Sequence, residues 1–220
     1  MMSFFLKTVS FFSTKTLLLA LIMFTFTPSF LYAQCTNNLN VFNINAGSFL
    51  LTAIPNIINN DFFKRDFSLT VTCDESTPIM VSFISGLPSG ESNVFSVVRS
   101  PQGKQALKVI LELSPSATAD NTGYQLAPIG DVSLSSVTSS SSYLPVSGIQ
   151  QIPSNAADKR SVWTLVDVNN GNQIVSAKKF SFPMTLKLIT ASDNEWRNEL
   201  TSTGRNLPIH VNAQFRLSRL

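Results

Sequence analysis

Leu207-Pro208-Ile209-His210-Val211-Asn212-Ala213-Gln214-Phe215-Arg216-Leu217-Ser218-Arg219-Leu220 closes the chain, and its reading decides the fold. Leu207, Ile209, Val211, Ala213, Phe215 and Leu217 take every second position, with Pro208, His210, Asn212, Gln214, Arg216 and Ser218 between them. Side chains two apart on a strand share a face, so this period predicts one long strand with an apolar side and a polar side. Pro208 has no N–H for a sheet ladder and suits a strand start or an edge. Three readings are open for such a strand: an ordinary core strand, an edge of the domain's own sandwich, or a surface meant for another chain.

The same alternation recurs upstream. Phe67, Leu69, Val71 and Cys73 alternate with Ser68, Thr70 and Thr72. Leu107, Val109, Leu111 and Leu113 alternate with Lys108, Ile110, Glu112 and Ser114. Phe180, Phe182, Met184, Leu186 and Leu188 give another strand, with Pro183 on its polar side. Shorter strands are predicted over 39–44, 79–84, 94–98 and 162–168, and Ser48 to Ile58 can hold extended chain broken by Pro55. Turns are predicted at Gly47-Ser48, Asp74 to Pro78, Ser100 to Lys104 and Asn169-Asn170-Gly171-Asn172. Ser114 to Ser161 is rich in Ser, Thr, Pro, Gly and Asn and reads mainly as loop, with short strands around Val132-Leu134 and Tyr143-Val146. The single helical signal is the capping box Ser192-Asp193-Asn194-Glu195, followed by Trp196 and Leu200 and ended by Gly204. About seven to nine short strands without βαβ alternation predict an all-β sandwich, immunoglobulin-like in layout.

The first residues read as a leader. Lys7 and Lys15 stand in an acid-free stretch before the apolar run Leu17 to Phe26, which is too short to span a bilayer. Pro28 and Leu31-Tyr32-Ala33 follow, so 1–33 reads as a secretory signal cleaved after Ala33, leaving 34–220 as one exported domain. Cys35 and Cys73 are the only cysteines, and an even pair in an oxidising compartment predicts a disulfide. Lipidation of Cys35 is disfavoured by the bulky Gln34 before it. Without the two leader lysines the net charge falls from +3 to +1, which gives no support to a nucleic-acid partner.

No constellation for catalysis stands out. His210 is the only histidine, on the polar face of the last strand, and no Gly-x-Ser-x-Gly elbow accompanies it. The carboxylates are scattered, with Asp74-Glu75 at a turn. No metal-ligand cluster or phosphate-cradling loop is present in the sequence, so no enzyme activity and no cofactor are expected. Tyr124 and Tyr143 lie in the loop region and are candidates for stacking on a sugar ring.

An early cysteine, a second one closing Phe67-Ser68-Leu69-Thr70-Val71-Thr72-Cys73-Asp74, and an alternating terminal strand occur in one order. In this the chain resembles the subunits of chaperone–usher fimbriae of Gram-negative bacteria. It is most similar to a branch with its first cysteine near the mature terminus and a Phe-containing middle segment before a Gly-Lys turn, here Val94-Phe95-Ser96-Val97 and Gly103-Lys104. The resemblance implies an incomplete pilin-type sandwich, completed by a strand from a periplasmic chaperone and then from another subunit. It also implies an outer-membrane usher as partner and a fimbrium or the cell surface as destination. The terminal strand would border the groove, with Leu207, Ile209, Val211, Ala213, Phe215, Leu217 and Leu220 facing the partner. Two departures stand out. Only Gln34 would precede Cys35 after cleavage, which implies a fibre-tip subunit that receives a strand without donating one, or a protein outside polymerisation altogether, and Arg219 holds the place of the penultimate aromatic. The competing expectations are a single-domain adhesin binding a host glycan through the 114–161 loops, and a self-complete periplasmic sandwich whose Ser48 to Ile58 segment fills its own groove.

Overall fold

Asp61–Ser85 runs as one strand of 25 residues, and the rest of the molecule is arranged around it. The computed structural model describes residues 34–37, 41–49, 61–86, 89–91, 93–100, 102–129, 141–152, 162–191 and 207–219, all within the compact unit Ala33–Leu220. The expected leader, the helix after Ser192, the strand at Val132-Leu134 and most of Ser48 to Ile58 lie outside the described residues. In chain order the strands are β1 (Cys35–Asn37), β2 (Val41–Phe49), β3 (Asp61–Ser85), β4 (Ser96–Arg99), β5 (Gln105–Leu113), β6 (Ser116–Ala119) and β7 (Thr122–Pro128). They continue with β8 (Gln150–Gln151), β9 (Val162–Asp167), β10 (Gln173–Ile174), β11 (Ser176–Thr190) and β12 (Leu207–Arg219). Among the described residues the one helical element is a single 3-10 turn at Val168–Asn170.

The turn expected at Asp74 to Pro78 does not reverse the chain. β11 pairs Lys179 with Thr72 and Ala177 with Thr77, so β3 passes extra residues across a two-residue step of its partner. Asp74, Glu75 and Ser76 are exposed, and the strand resumes with its phase intact. Leu69, Val71 and Cys73 before the bulge, and Thr77, Ile79, Val81 and Phe83 after it, are all buried. Turn-forming residues in mid-strand therefore make a bulge that bends β3, as bulges do. The bend lets one strand serve two sheets. Residues 61–78 pair with β11, while 79–85 pair with β12 and Val81–Ser82 pair with β9.

One layer is β3–β11–β5–β4, with β1 on β3 and β8 on β5; the other is β2–β12–β3–β9–β7–β6, with β10 on β9. β6 also pairs with β11, which closes a circuit of five strands, β3–β9–β7–β6–β11. The chain forms the all-β sandwich that the sequence predicts, with the disulfide Cys35–Cys73 joining β1 to β3. Phe83, Phe95, Phe180, Phe182, Leu69, Leu111 and Leu126 fill the space between the layers. Full burial of each such side chain is worth about 1.5–3 kcal/mol. The buried Thr164 hydroxyl is satisfied by donating to the Ile79 carbonyl at 2.9 Å, which ties β9 to β3.

Three local expectations are corrected. Gly47-Ser48 lies inside β2 rather than at a turn, and Gly47 belongs to a bulge in which Ala46 and Gly47 together oppose Ile209 of β12. The stretch read as loop after Ser114 contains the β6–β7 hairpin, turning at Asp120-Asn121 with φ of 46° and 68°. Short polar side chains that tolerate positive φ make that two-residue turn. The Asp120 carboxylate also accepts from the backbone N–H groups of Lys178 and Lys179, at 3.1 and 2.9 Å, where β11 is irregular. Tyr143-Val146 forms no strand, and only Ser142 makes a bridge, to Gln173. The turns at Ser100–Lys104 and Val168–Asn172 form as expected. Gly103 and Gly171 take φ of 86° and 62°, a region costly for residues with a Cβ.

Candidate functional site

β12 has a partner on both sides over only a short overlap. Its first half pairs antiparallel with β2, from Leu207 opposite Phe49 to Gln214 opposite Val41. Its second half pairs antiparallel with β3, from Ala213 opposite Ser85 to Arg219 opposite Ile79. Ala213 and Gln214 lie between both neighbours. From Arg216 to Arg219 the strand has β3 on one side and, among the described residues, no strand on the other. Along β3, Asp61 to Thr70 pairs with β11, and β1 pairs with Val71 to Cys73.

Of the seven positions predicted to face a partner, Phe215 is buried at 9% exposure, and its ring meets Phe83 edge-on at 4.9 Å and 77°. Leu217 is half-buried against the main core, and Arg216 between them is exposed. The alternation is thus realised, but the described apolar side chains point into the chain's own core. Leu207, Ile209, Val211 and Ala213 belong to the strand, with side chains outside the described set, and Leu220 lies outside the described residues. His210 stands in β12 opposite Asn45. Val41–Phe49 covers the first half of β12, and of the segment expected to fill the groove only Ser48-Phe49, at the end of that strand, lies within the described residues. A signal for this lay in Val41, Phe42 and Ile44, yet their pairing with a strand more than a hundred and sixty residues later follows only from topology.

The predicted disulfide forms between residues that face one another across β1 and β3. The Asp74 N–H donates to the Gln34 carbonyl at 3.1 Å, extending the contact by one residue. Neither loop tyrosine is an open platform. Tyr124 packs against the main core, and Tyr143 against Met80, Ile129 and Ile174.

A second feature escaped the sequence reading. On the outer face of the β3–β11–β5 layer, Thr185 sits opposite Asp66 on one side and Glu112 on the other. The Thr185 hydroxyl donates to Asp66 Oδ1 at 2.6 Å. Lys64 Nζ stands 4.0 Å from the same oxygen. Glu112, only 6% exposed, accepts from Lys187 Nζ through Oε1 at 2.8 Å. That hydrogen bond, with the negative charges of Glu112 and Asp61, raises the Lys187 pKa above 10.5 against the opposing pull of burial. Lys64, Asp66, Thr185 and Glu112 floor a groove of about 550 Å³ whose other lining residues include Ser68, Ser114, Ile149 and Pro183. Glu112 and Lys187 are 75 residues apart, so their encounter depends on strand order. Among the described residues no group of three or more His, Cys, Asp or Glu side chains could hold a metal ion.

No family model matches the chain, and no curated protein matches it in sequence.

Proposed function

We propose that the protein is a non-catalytic, exported subunit of a fimbria-like surface assembly, joined to its partner by strand addition at β12. The observation that carries this reading is the run from Arg216 to Arg219, whose one neighbour among the described strands is β3. An edge strand exposes a row of backbone donors and acceptors that another chain can pair, and unprotected edges promote association. In the fimbrial reading the first partner is a periplasmic chaperone, the second an outer-membrane usher, and the last a neighbouring subunit. The disulfide supports an oxidising compartment on that route.

A second reading has its own observation. β2 already pairs with half of β12, so the sandwich can be complete by itself and act as a stand-alone periplasmic binding domain. Native mass of the protein drawn gently from the periplasm, in cells that also express the neighbouring genes, separates the two. A one-to-one complex with a second protein, in which the 216–219 amides pointing away from β3 become protected from hydrogen exchange, supports assembly by strand addition. A clean monomer in which those outward amides exchange freely sinks that reading and favours the self-complete domain.

A further inference from the structure

We infer that the outer-face groove over β3, β11 and β5 is a binding site for a short, neutral saccharide. The row Asp66–Thr185–Glu112 crosses three adjacent strands in register. Two strand spacings put its ends about 10 Å apart at the backbone. Because the row is built on paired strands, its spacing does not depend on loop conformation, which is what a precise polar site requires. The groove's volume of about 550 Å³ lies inside the range of roughly 300–1,000 Å³ usual for small-ligand sites.

The chemistry selects the ligand class. Asp66 and Glu112 offer acceptors and Lys64 a donor; the Thr185 hydroxyl, which donates to Asp66, can still accept, and the Ser114 hydroxyl, which accepts from the Ser116 N–H, can still donate. The charges offset one another, since Lys64 stands beside Asp66 and Lys187 holds Glu112. A polyanion would meet the Asp66 and Glu112 carboxylates, and a polycation would meet the Lys64 ammonium group, with Lys187 already neutralising Glu112. An apolar ligand would leave the charged floor without water or partners, which is costly. A polyol satisfies both kinds of group without adding net charge. Its C–H face has a matching wall in Pro183 and in Ile149, a large apolar residue left 64% exposed. That wall is anchored, because Gln150 next to Ile149 pairs with Leu113 and the Ile152 N–H donates to the Leu111 carbonyl at 2.8 Å.

The site lies apart from the β12 edge and does not rest on the assembly reading. The test is amide chemical-shift mapping of isotope-labelled protein, purified from cells exporting the full chain and titrated with maltose, lactose and N-acetylglucosamine. At least one saccharide is expected to move the amides of 64–68, 112–114 and 183–185. In Asp66→Asn, whose side chain is exposed and whose spectrum should otherwise be preserved, binding is expected to weaken roughly tenfold, the cost of one charge-assisted hydrogen bond. Lys64→Ala is expected to weaken it as well. The inference is overturned if no saccharide moves those amides, or if Asp66→Asn responds like the parent protein. It is equally overturned if inorganic phosphate moves them more strongly than any sugar.

Discussion

Phe215 anchors the terminal strand to the core. Its ring is buried against Phe83, in the edge-on geometry that aromatic pairs favour, so its removal is a core deletion rather than an interface change. Phe215→Ala is expected to lower stability by about 3–5 kcal/mol in urea unfolding. A loss under about 1 kcal/mol would mean that the site collapses around the gap. An arginine at this position would therefore unfold the domain and say nothing about a partner. The Glu112–Lys187 pair makes a different kind of prediction. Lys187 titrates above 10.5 in the folded protein, so its contribution is fully present below that value and is lost as pH rises through the raised pKa. Glu112→Gln removes the partner that raises it. The stability difference between parent and variant, measured by urea unfolding from neutral pH upward, is expected to shrink as Lys187 deprotonates. A difference that stays constant through that range would show that the pair contributes no charge-dependent stability.

The elements differ in how firmly they are held. β1 has three residues, pairs with β3 among the described strands, and is tied to it covalently by the disulfide. Closing a loop between positions 38 apart removes unfolded-state entropy worth roughly 4 kcal/mol in the chain-entropy model. Cys35→Ser with Cys73→Ser is expected to lose about that much in urea unfolding. Reductant should shift the parent's midpoint toward the variant's and leave the variant's unchanged; a double variant as stable as the parent would refute the assignment. β3 is the opposite case. Its alternation was legible over Phe67–Cys73 and Ile79–Ile84, as was the turn chemistry between them. Those residues interrupt the ladder without reversing it, because the same face is buried on both sides of the bulge. The β6–β7 hairpin was missed for a related reason. Ala117 and Ala119 are buried but too small to stand out as an apolar stripe.

At the scale of the whole molecule, β12 joins the two ends of the chain. It arrives last, yet lies between β2 from the first quarter and the second half of β3. Such pairings have high sequence separation, so loop closure must precede any gain from contact. A chain ending before Leu207 is expected not to fold, because it loses the β3 edge pairing and the ring that covers Phe83. Limited proteolysis of the exported product should then find it degraded while the full chain persists. A protease-resistant truncated product would show that β12 is an addition to a domain that stands without it.

The residues by themselves determined the class of fold, since period-two alternation separates strands from helices whatever their neighbours are. They also determined the cysteine pair and the terminal strand, each readable from local pattern and residue type. Only the tertiary structure decided which strands adjoin. That settled the merging of two predicted strands into β3, the covering of half of β12 by Val41–Phe49, and the meeting of Asp66, Thr185 and Glu112 on one face. Alternation specifies which way a side chain points relative to its own strand. Register and strand order arise from packing among segments far apart in the chain, and no local pattern carries them.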